Sequence, residues 1–187
     1  MRLFVAVELE PELRRALRDA TAPLRTLVPN AGWVAEERLH LTLKFLDEQP
    51  ETFVAPLTAK MEQIASRHWP VPIRLRGVGA FPNLRRPRVV WVGIEPAPKL
   101  ELLQHEVEEG CAALGVEVEG KPFRPHLTVG RLRGDEDREA VRELARAARS
   151  IRFRGDAIIS SIDVMQSTLT QAGPQYVRLA AAPLRSE

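Results

Sequence analysis

The tripeptide His-Leu-Thr occurs twice in this chain, as His40-Leu41-Thr42 and His126-Leu127-Thr128, 86 positions apart. The chain has four histidines, so half of them fall in one repeated setting. The flanks, Arg38-Leu-His-Leu-Thr-Leu-Lys-Phe-Leu46 and Arg124-Pro-His-Leu-Thr-Val-Gly-Arg-Leu132, are apolar and β-branched enough to predict strands. In a strand, residues two apart share a face, so each copy presents an imidazole and a hydroxyl together. Two such strands side by side would surround one small site with two titratable bases and two hydroxyl donors. Histidine changes charge near neutral pH. A pair can divide proton transfer, one neutral ring acting as base and one charged ring as acid. The threonine hydroxyls would donate to non-bridging oxygens whose charge grows in the transition state. This set suits a phosphodiester attacked by water, above all a strained cyclic phosphate with a good leaving group, and such chemistry needs no metal. An isolated His-x-Thr would ordinarily be a half-buried, hydrogen-bonded structural residue; the duplication makes His40, Thr42, His126 and Thr128 candidate catalytic groups.

The elements that must position these residues also repeat. Apolar residues at Leu13, Leu17, Ala20, Leu24 and Leu27 predict a helix over Pro11–Leu27, matched about 87 residues later by Leu100, Leu103, Val107, Cys111 and Leu114 over Lys99–Leu114. A second helix is predicted over Glu51–Ser66 and its counterpart over Asp135–Arg149, which begins acidic and ends basic as the helix dipole favours. Two strands close each half: Val71–Phe81 with Arg88–Ile94, then Ala157–Ser167 with Gln175–Ala182 beyond a turn at Gln171–Pro174. With an extra first strand at Arg2–Glu8, the chain is expected to be one bilobal domain over residues 1–187, repeated at roughly 11–95 and 98–182. Similar halves pack about a pseudo-two-fold axis, which would place His40 and His126 across a shared groove.

The net charge of +2 excludes a strongly basic polymer-coating protein. Arginines nonetheless cluster at Arg85, Arg86 and Arg88 and, with Lys121, around the second motif at Arg124, Arg131 and Arg133, which suits a short anionic ligand. The single cysteine, Cys111, lies on the apolar stripe of its helix and is expected in the core. His68 is expected at a helix end and His105 in solvent. Gly77-Val-Gly79 lacks a third glycine at the spacing of a dinucleotide site, and neither a nucleophile elbow nor a phosphate-binding lysine loop is present. The opening apolar run is too short for a signal peptide, and no stretch reaches membrane-spanning length, so a cytoplasmic protein with no membrane partner is expected.

Through these motifs the chain resembles the 2H phosphoesterase superfamily and, within it, the RNA 2′,3′-cyclic phosphodiesterases historically called 2′-5′ RNA ligases. Arg2-Leu-Phe-Val-Ala-Val-Glu8, Pro87-Arg-Val-Val-Trp-Val-Gly93 and Gln166-Ser-Thr-Leu-Thr170 resemble further segments of that family, so the likeness covers nearly the whole chain. It implies an α+β fold of two pseudo-symmetric lobes, with antiparallel sheets facing a central cleft and helices outside. It implies hydrolysis of an RNA or oligonucleotide 2′,3′-cyclic phosphate end to a 2′-phosphomonoester, without cofactor or metal; a monomer is expected. By resemblance His40 is the acid, His126 the base, and Phe45 and Arg131 hold the terminal base by stacking. Each of those two lies five residues after its histidine, so strict alternation would turn it away from the imidazole. A strand end or bulge is therefore required before it. Where the family usually has glycine after Phe-Leu, this chain has Asp47. Other readings keep the site and change the substrate to another nucleotide cyclic phosphate or a 2′-5′ linked oligonucleotide, with weak ligation in reverse. A reading of another class is a non-catalytic RNA-end binder, which the two intact His-Thr pairs argue against.

Overall fold

The computed structural model describes residues 1–171 and 173–186. Ala172, inside the expected turn at 171–174, lies outside the described residues. The elements run β1 (Arg2–Glu8), α1 (Pro11–Leu27), β2 (Gly32–Trp33), β3 (His40–Glu48), α2 (Val54–Ala65), β4 (Val71–Phe81), β5 (Val89–Ile94), α3 (Pro98–Ala113), β6 (His126–Arg131), α4 (Arg138–Ser150), β7 (Arg154–Ile159), β8 (Ser161–Thr170) and β9 (Gly173–Pro183). They build two antiparallel sheets, ordered β3-β1-β8-β9 and β2-β6-β5-β4-β7. This is the expected α+β arrangement, with the sheets facing a cleft and the helices outside.

Each sheet draws strands from both halves of the sequence. The first motif strand, β3, shares its sheet with β8 and β9, whereas β4 and β5, which follow it in sequence, lie in the sheet of the second motif strand, β6. The helices exchange in the same way: α2 and α3 cover the first sheet, and α1 and α4 cover the second. A single strand was expected over Ala157–Ser167. Instead β7 forms an edge of the second sheet, and the chain crosses at Ser160 to become β8, an inner strand of the first. Hydrophobic alternation reports burial, not which sheet a residue joins, so it runs through the crossing unmarked. The two-residue strand β2 is too short to carry a period.

The helices follow from local chemistry. Pro11 starts α1 at a position where its missing N–H costs nothing, and Leu17, Thr21 and Leu24 face the core. Thr21 satisfies its hydroxyl by donating to the Leu17 carbonyl at 2.8 Å. The helix α4 begins later than its acidic run suggests. Glu136 accepts the backbone N–H groups of Arg133 and Gly134, and Asp137 caps the helix by accepting from Glu139 and Ala140 at 2.9 Å each. Such a cap stabilises a helix by about 1 kcal/mol. The main core joins Leu3, Val5 and Val7 of β1 to Leu41 and Leu43 of β3 and to the helices. On the opposite face of β1, Phe4 and Ala6 pack with Met165 and Tyr176 in a smaller cluster. That second face carries the first motif. No helix among the described residues is long and apolar enough to cross a membrane.

Candidate active site

The two motif strands sit in matching surroundings. Glu8 of β1 lies opposite His40 and Ala6 opposite Thr42; Gly93 of β5 lies opposite His126 and Trp91 opposite Thr128. Both ladders then slip by one residue, skipping Leu43 in β3 and Val129 in β6. These are the bulges that the five-residue spacing requires. An extra residue turns two successive side chains to one side. Leu43 and Lys44 are both interior, at 2% and 4% exposure, and Phe45 returns to the imidazole face, 55% exposed. Packing confirms the shared face, since the Phe4 ring lies 5.1 Å from His40 and 6.2 Å from Phe45. In β6, Val129 is buried, Gly130 is covered by the Trp33 indole, and Arg131 is exposed and near enough to act on the His126 ring.

Each imidazole is held by the backbone just before it. His40 Nδ1 donates to the Arg38 carbonyl at 2.7 Å, and His126 Nδ1 donates to the Arg124 carbonyl at 2.6 Å. A carbonyl only accepts, so the proton sits on Nδ1 in the neutral ring and Nε2 is left to exchange protons. His40 Nε2 lies 3.1 Å from Thr42 Oγ1. Aromatic edges fix the ring planes: Tyr176 packs T-shaped on His40 at 5.2 Å, and Phe81 on His126 at 5.0 Å. Burial pushes both imidazoles below the ordinary histidine value. The carbonyl bonds oppose this, helped at His40 by the Glu8 carboxylate, and the Arg131 guanidinium lowers both. One cation thus acts on both rings, as expected where β3 and β6 pack against each other at the junction of the sheets.

Among the described residues the Arg85–Arg86 turn and the other two histidines form no hydrogen bond or ion pair with the motif residues. Arg85 and Arg86 donate their backbone N–H groups to Asn83 in an exposed turn, and Arg88 binds the Arg133 carbonyl. His68 is buried just past α2, 3.3 Å from Glu106, and His105 is exposed beside Glu109. Cys111 is in the core, where burial raises its thiol to about 11. Four residues at the site carry no motif signal: Glu8, Trp91, Tyr176 and Arg178. Trp91 lies flat over Gly79, where a Cβ would come within 2.3 Å of the indole, so only glycine fits beneath it. The period-two register of β1 and β5 against the motif strands was the available signal for Glu8 and Trp91; Tyr176 and Arg178 reach the site only through the strand exchange.

Two antiparallel sheets that each carry one His-x-Thr strand define a two-histidine phosphoesterase. A family model described as the 2′-5′ RNA ligase superfamily matches residues 9–160, and the chain belongs to that family. It is 36% identical over 146 residues to an Aquifex aeolicus protein named RNA 2′,3′-cyclic phosphodiesterase, covering 77% of each chain. A Geobacillus stearothermophilus protein of the same name is 33% identical across 97% of this chain, which spans 56% of that protein's length. The crystal structure of a Thermus thermophilus protein superposes with a TM-score of 0.80 at 30% identity, covering 100% of both chains.

Proposed function

We propose that this chain is an RNA 2′,3′-cyclic phosphodiesterase that opens the cyclic end to a 2′-phosphomonoester with its two histidines and no metal. The observation that carries the reading is the matched pair of imidazoles, each locked through Nδ1 to the carbonyl two residues before it, beside a threonine on the same strand face. In this reading His126 Nε2 takes a proton from water as the water oxygen attacks phosphorus. The bond from phosphorus to the 3′ oxygen breaks, and His40 Nε2 delivers a proton to that oxygen. Thr42 and Thr128 hold the non-bridging oxygens, whose negative charge rises in the transition state. Phe45 and Arg131 clasp the terminal base, tolerant of its identity because every base has a π-face. The names of the relatives support the substrate class.

The test is turnover of a dinucleotide ending in a 2′,3′-cyclic phosphate, with chelator present, by wild type, His40→Ala and His126→Ala. Wild type is expected to be active, and each variant to lose about 10² to 10⁴ in rate, the usual contribution of general acid–base catalysis. Full activity in either variant would exclude the paired mechanism, and activity abolished by chelator would exclude metal independence.

A further inference from the structure

A cavity of about 330 Å³ opens beside His40, bordered by Glu8, Arg14, Glu37, Arg38, His40 and Arg178. It lies at the opposite end of the first motif from Phe45: its wall runs through residues 37–40, whereas Phe45 is five residues further along β3. Its volume falls in the range of about 300 to 1,000 Å³ typical of ligand pockets.

Three guanidiniums meet here, and their partners differ. Arg178 is neutralised by Glu8 at 2.8 Å. Arg14 and Arg38 are held by neutral carbonyl oxygens: Arg14 Nη1 donates to the Glu37 carbonyl at 3.2 Å, and Arg38 Nη1 to the Pro174 carbonyl at 2.5 Å. Among the described residues neither has a carboxylate within ion-pair distance, unlike Arg18, which has two, and Arg67, Arg74, Arg142 and Arg146, which each have one. Arg14 Nε is also buried without a partner. A guanidinium oriented by carbonyls keeps its full charge and most of its five donors, in the fork that matches phosphate.

We infer that Arg14 and Arg38 form a second anion subsite for the phosphodiester linkage immediately 5′ of the cyclic end. The inference rests on the cyclic-phosphate reading above. With the cyclic phosphate at His40 and the base held toward Phe45, the strand leaves from the 5′ oxygen of the terminal ribose, away from the base. The next negative group on that path is the linking phosphodiester, and beside the reacting phosphate the cavity presents two guanidiniums without an ion-pair partner among the described residues against one carboxylate, Glu37, the other, Glu8, being paired with Arg178. A mononucleoside cyclic phosphate has no such group, so the subsite would distinguish RNA ends from free cyclic nucleotides.

The test compares adenosine 2′,3′-cyclic phosphate with a diadenosine ending in a 2′,3′-cyclic phosphate, using wild type, Arg14→Gln and Arg14→Lys. For Arg14→Gln the expected result is a fall of on the order of 10-fold in kcat/KM on the dinucleotide, carried by KM, as for a lost charge-assisted hydrogen bond. The mononucleoside rate is expected to stay unchanged. The slope of log kcat/KM against log salt on the dinucleotide should shrink by roughly 0.7, one single-strand phosphate contact. Arg14→Lys keeps the charge and should recover part of the loss. Equal losses on both substrates, or no loss on the dinucleotide, would overturn the subsite. Failure of wild type on both substrates would instead overturn the phosphodiesterase reading.

Discussion

Cutting the Lys44–Glu108 ion pair should loosen the first motif from beneath, without touching a reacting group. The bulge at Leu43 turns Lys44 into the interior, where it is 4% exposed. Its Nζ donates to Glu108 Oε1 at 2.6 Å and to the Glu117 carbonyl at 2.8 Å, and Glu108 also accepts the Glu119 N–H at 2.8 Å. Removing one partner of a buried pair leaves an unmatched charge and costs about 3 to 5 kcal/mol. Glu108 keeps 12% exposure, which favours the lower end of that range, about 3 kcal/mol. In a domain of this size each kcal/mol moves Tm by about 2 to 4 °C, so Glu108→Ala should lower Tm by roughly 6 to 12 °C. The exposed pair between Arg142 and Glu139 is the control: Glu139→Ala should cost at most about 1 kcal/mol. Lys44 directly precedes Phe45, so the KM of Glu108→Ala for cyclic nucleotides should rise more than its kcat falls. Thermal unfolding followed by circular dichroism and steady-state kinetics measure the two effects. The double variant Lys44→Met, Glu108→Leu removes both charges and should recover most of the lost Tm. A Tm drop under about 2 °C in Glu108→Ala, or a double variant no more stable than the single, would refute the argument that this pair holds the bulge.

Three further outcomes are expected. Because burial holds both imidazoles below the ordinary value, kcat/KM should be bell-shaped with its optimum on the acidic side of about 6.5. The neutral base sets the limb that rises with pH and the charged acid the limb that falls; Arg131→Gln removes a cation that lowers both rings, so both limbs should move to higher pH, and unmoved limbs would disprove its influence. Thr42→Ala and Thr128→Ala should each lower kcat by about 10² to 10³, as for other transition-state donors; a change confined to KM would point to ground-state binding instead. Asp47 holds φ at 54°, the left-handed region that glycine adopts freely. Asp47→Gly should therefore raise stability by about 0.5 to 1 kcal/mol, or roughly 1 to 4 °C in Tm, and a fall in Tm would show that the aspartate side chain makes a contact worth more than the strain.

The candidate site was legible in the sequence because its four groups share one short motif used twice. The bulges were legible too, indirectly, since a base-holding Phe45 five residues from His40 conflicts with period-two alternation unless one residue is skipped. The helix over Pro11–Leu27 and the strand over Val71–Phe81 carry clear periods and match the observed bounds. The exchange of β4, β5, β8 and β9 between sheets was not legible. Residues such as Ile159 and Ile162 are buried equally well in either sheet, and pattern registers burial without naming the partner. Tyr176 and Arg178 were missed for the same reason, because their place beside His40 depends on β9 joining the sheet of β3, whereas Glu8 follows from the register of β1 against β3.

That exchange also makes the two histidines inequivalent, which a pure repeat would not. Across from His40 stands Glu8, a carboxylate that favours the charged ring, itself paired with Arg178 from β9. Across from His126 stands Gly93, which contributes no charge. The buried Asp163 adds to the contrast, since it accepts the Glu8 N–H at 3.3 Å and so ties the end of β1 to β8 on the His40 side. Burial lowers both rings and weighs more on His40, the deeper of the two; the Glu8 carboxylate opposes it there, and His126 has no such carboxylate. In the roles proposed above, Glu8 helps His40 hold the proton it donates while the deeper burial of His40 acts against it, a balance set by the neighbouring strands and not by the motifs. The same carboxylate lies on the wall of the arginine-lined cavity. An anion held there by Arg14 and Arg38 would be repelled by Glu8 unless Arg178 kept it neutralised, so the Glu8–Arg178 pair serves both arrangements at once: it leaves a carboxylate near His40 while sparing the cavity its full negative charge.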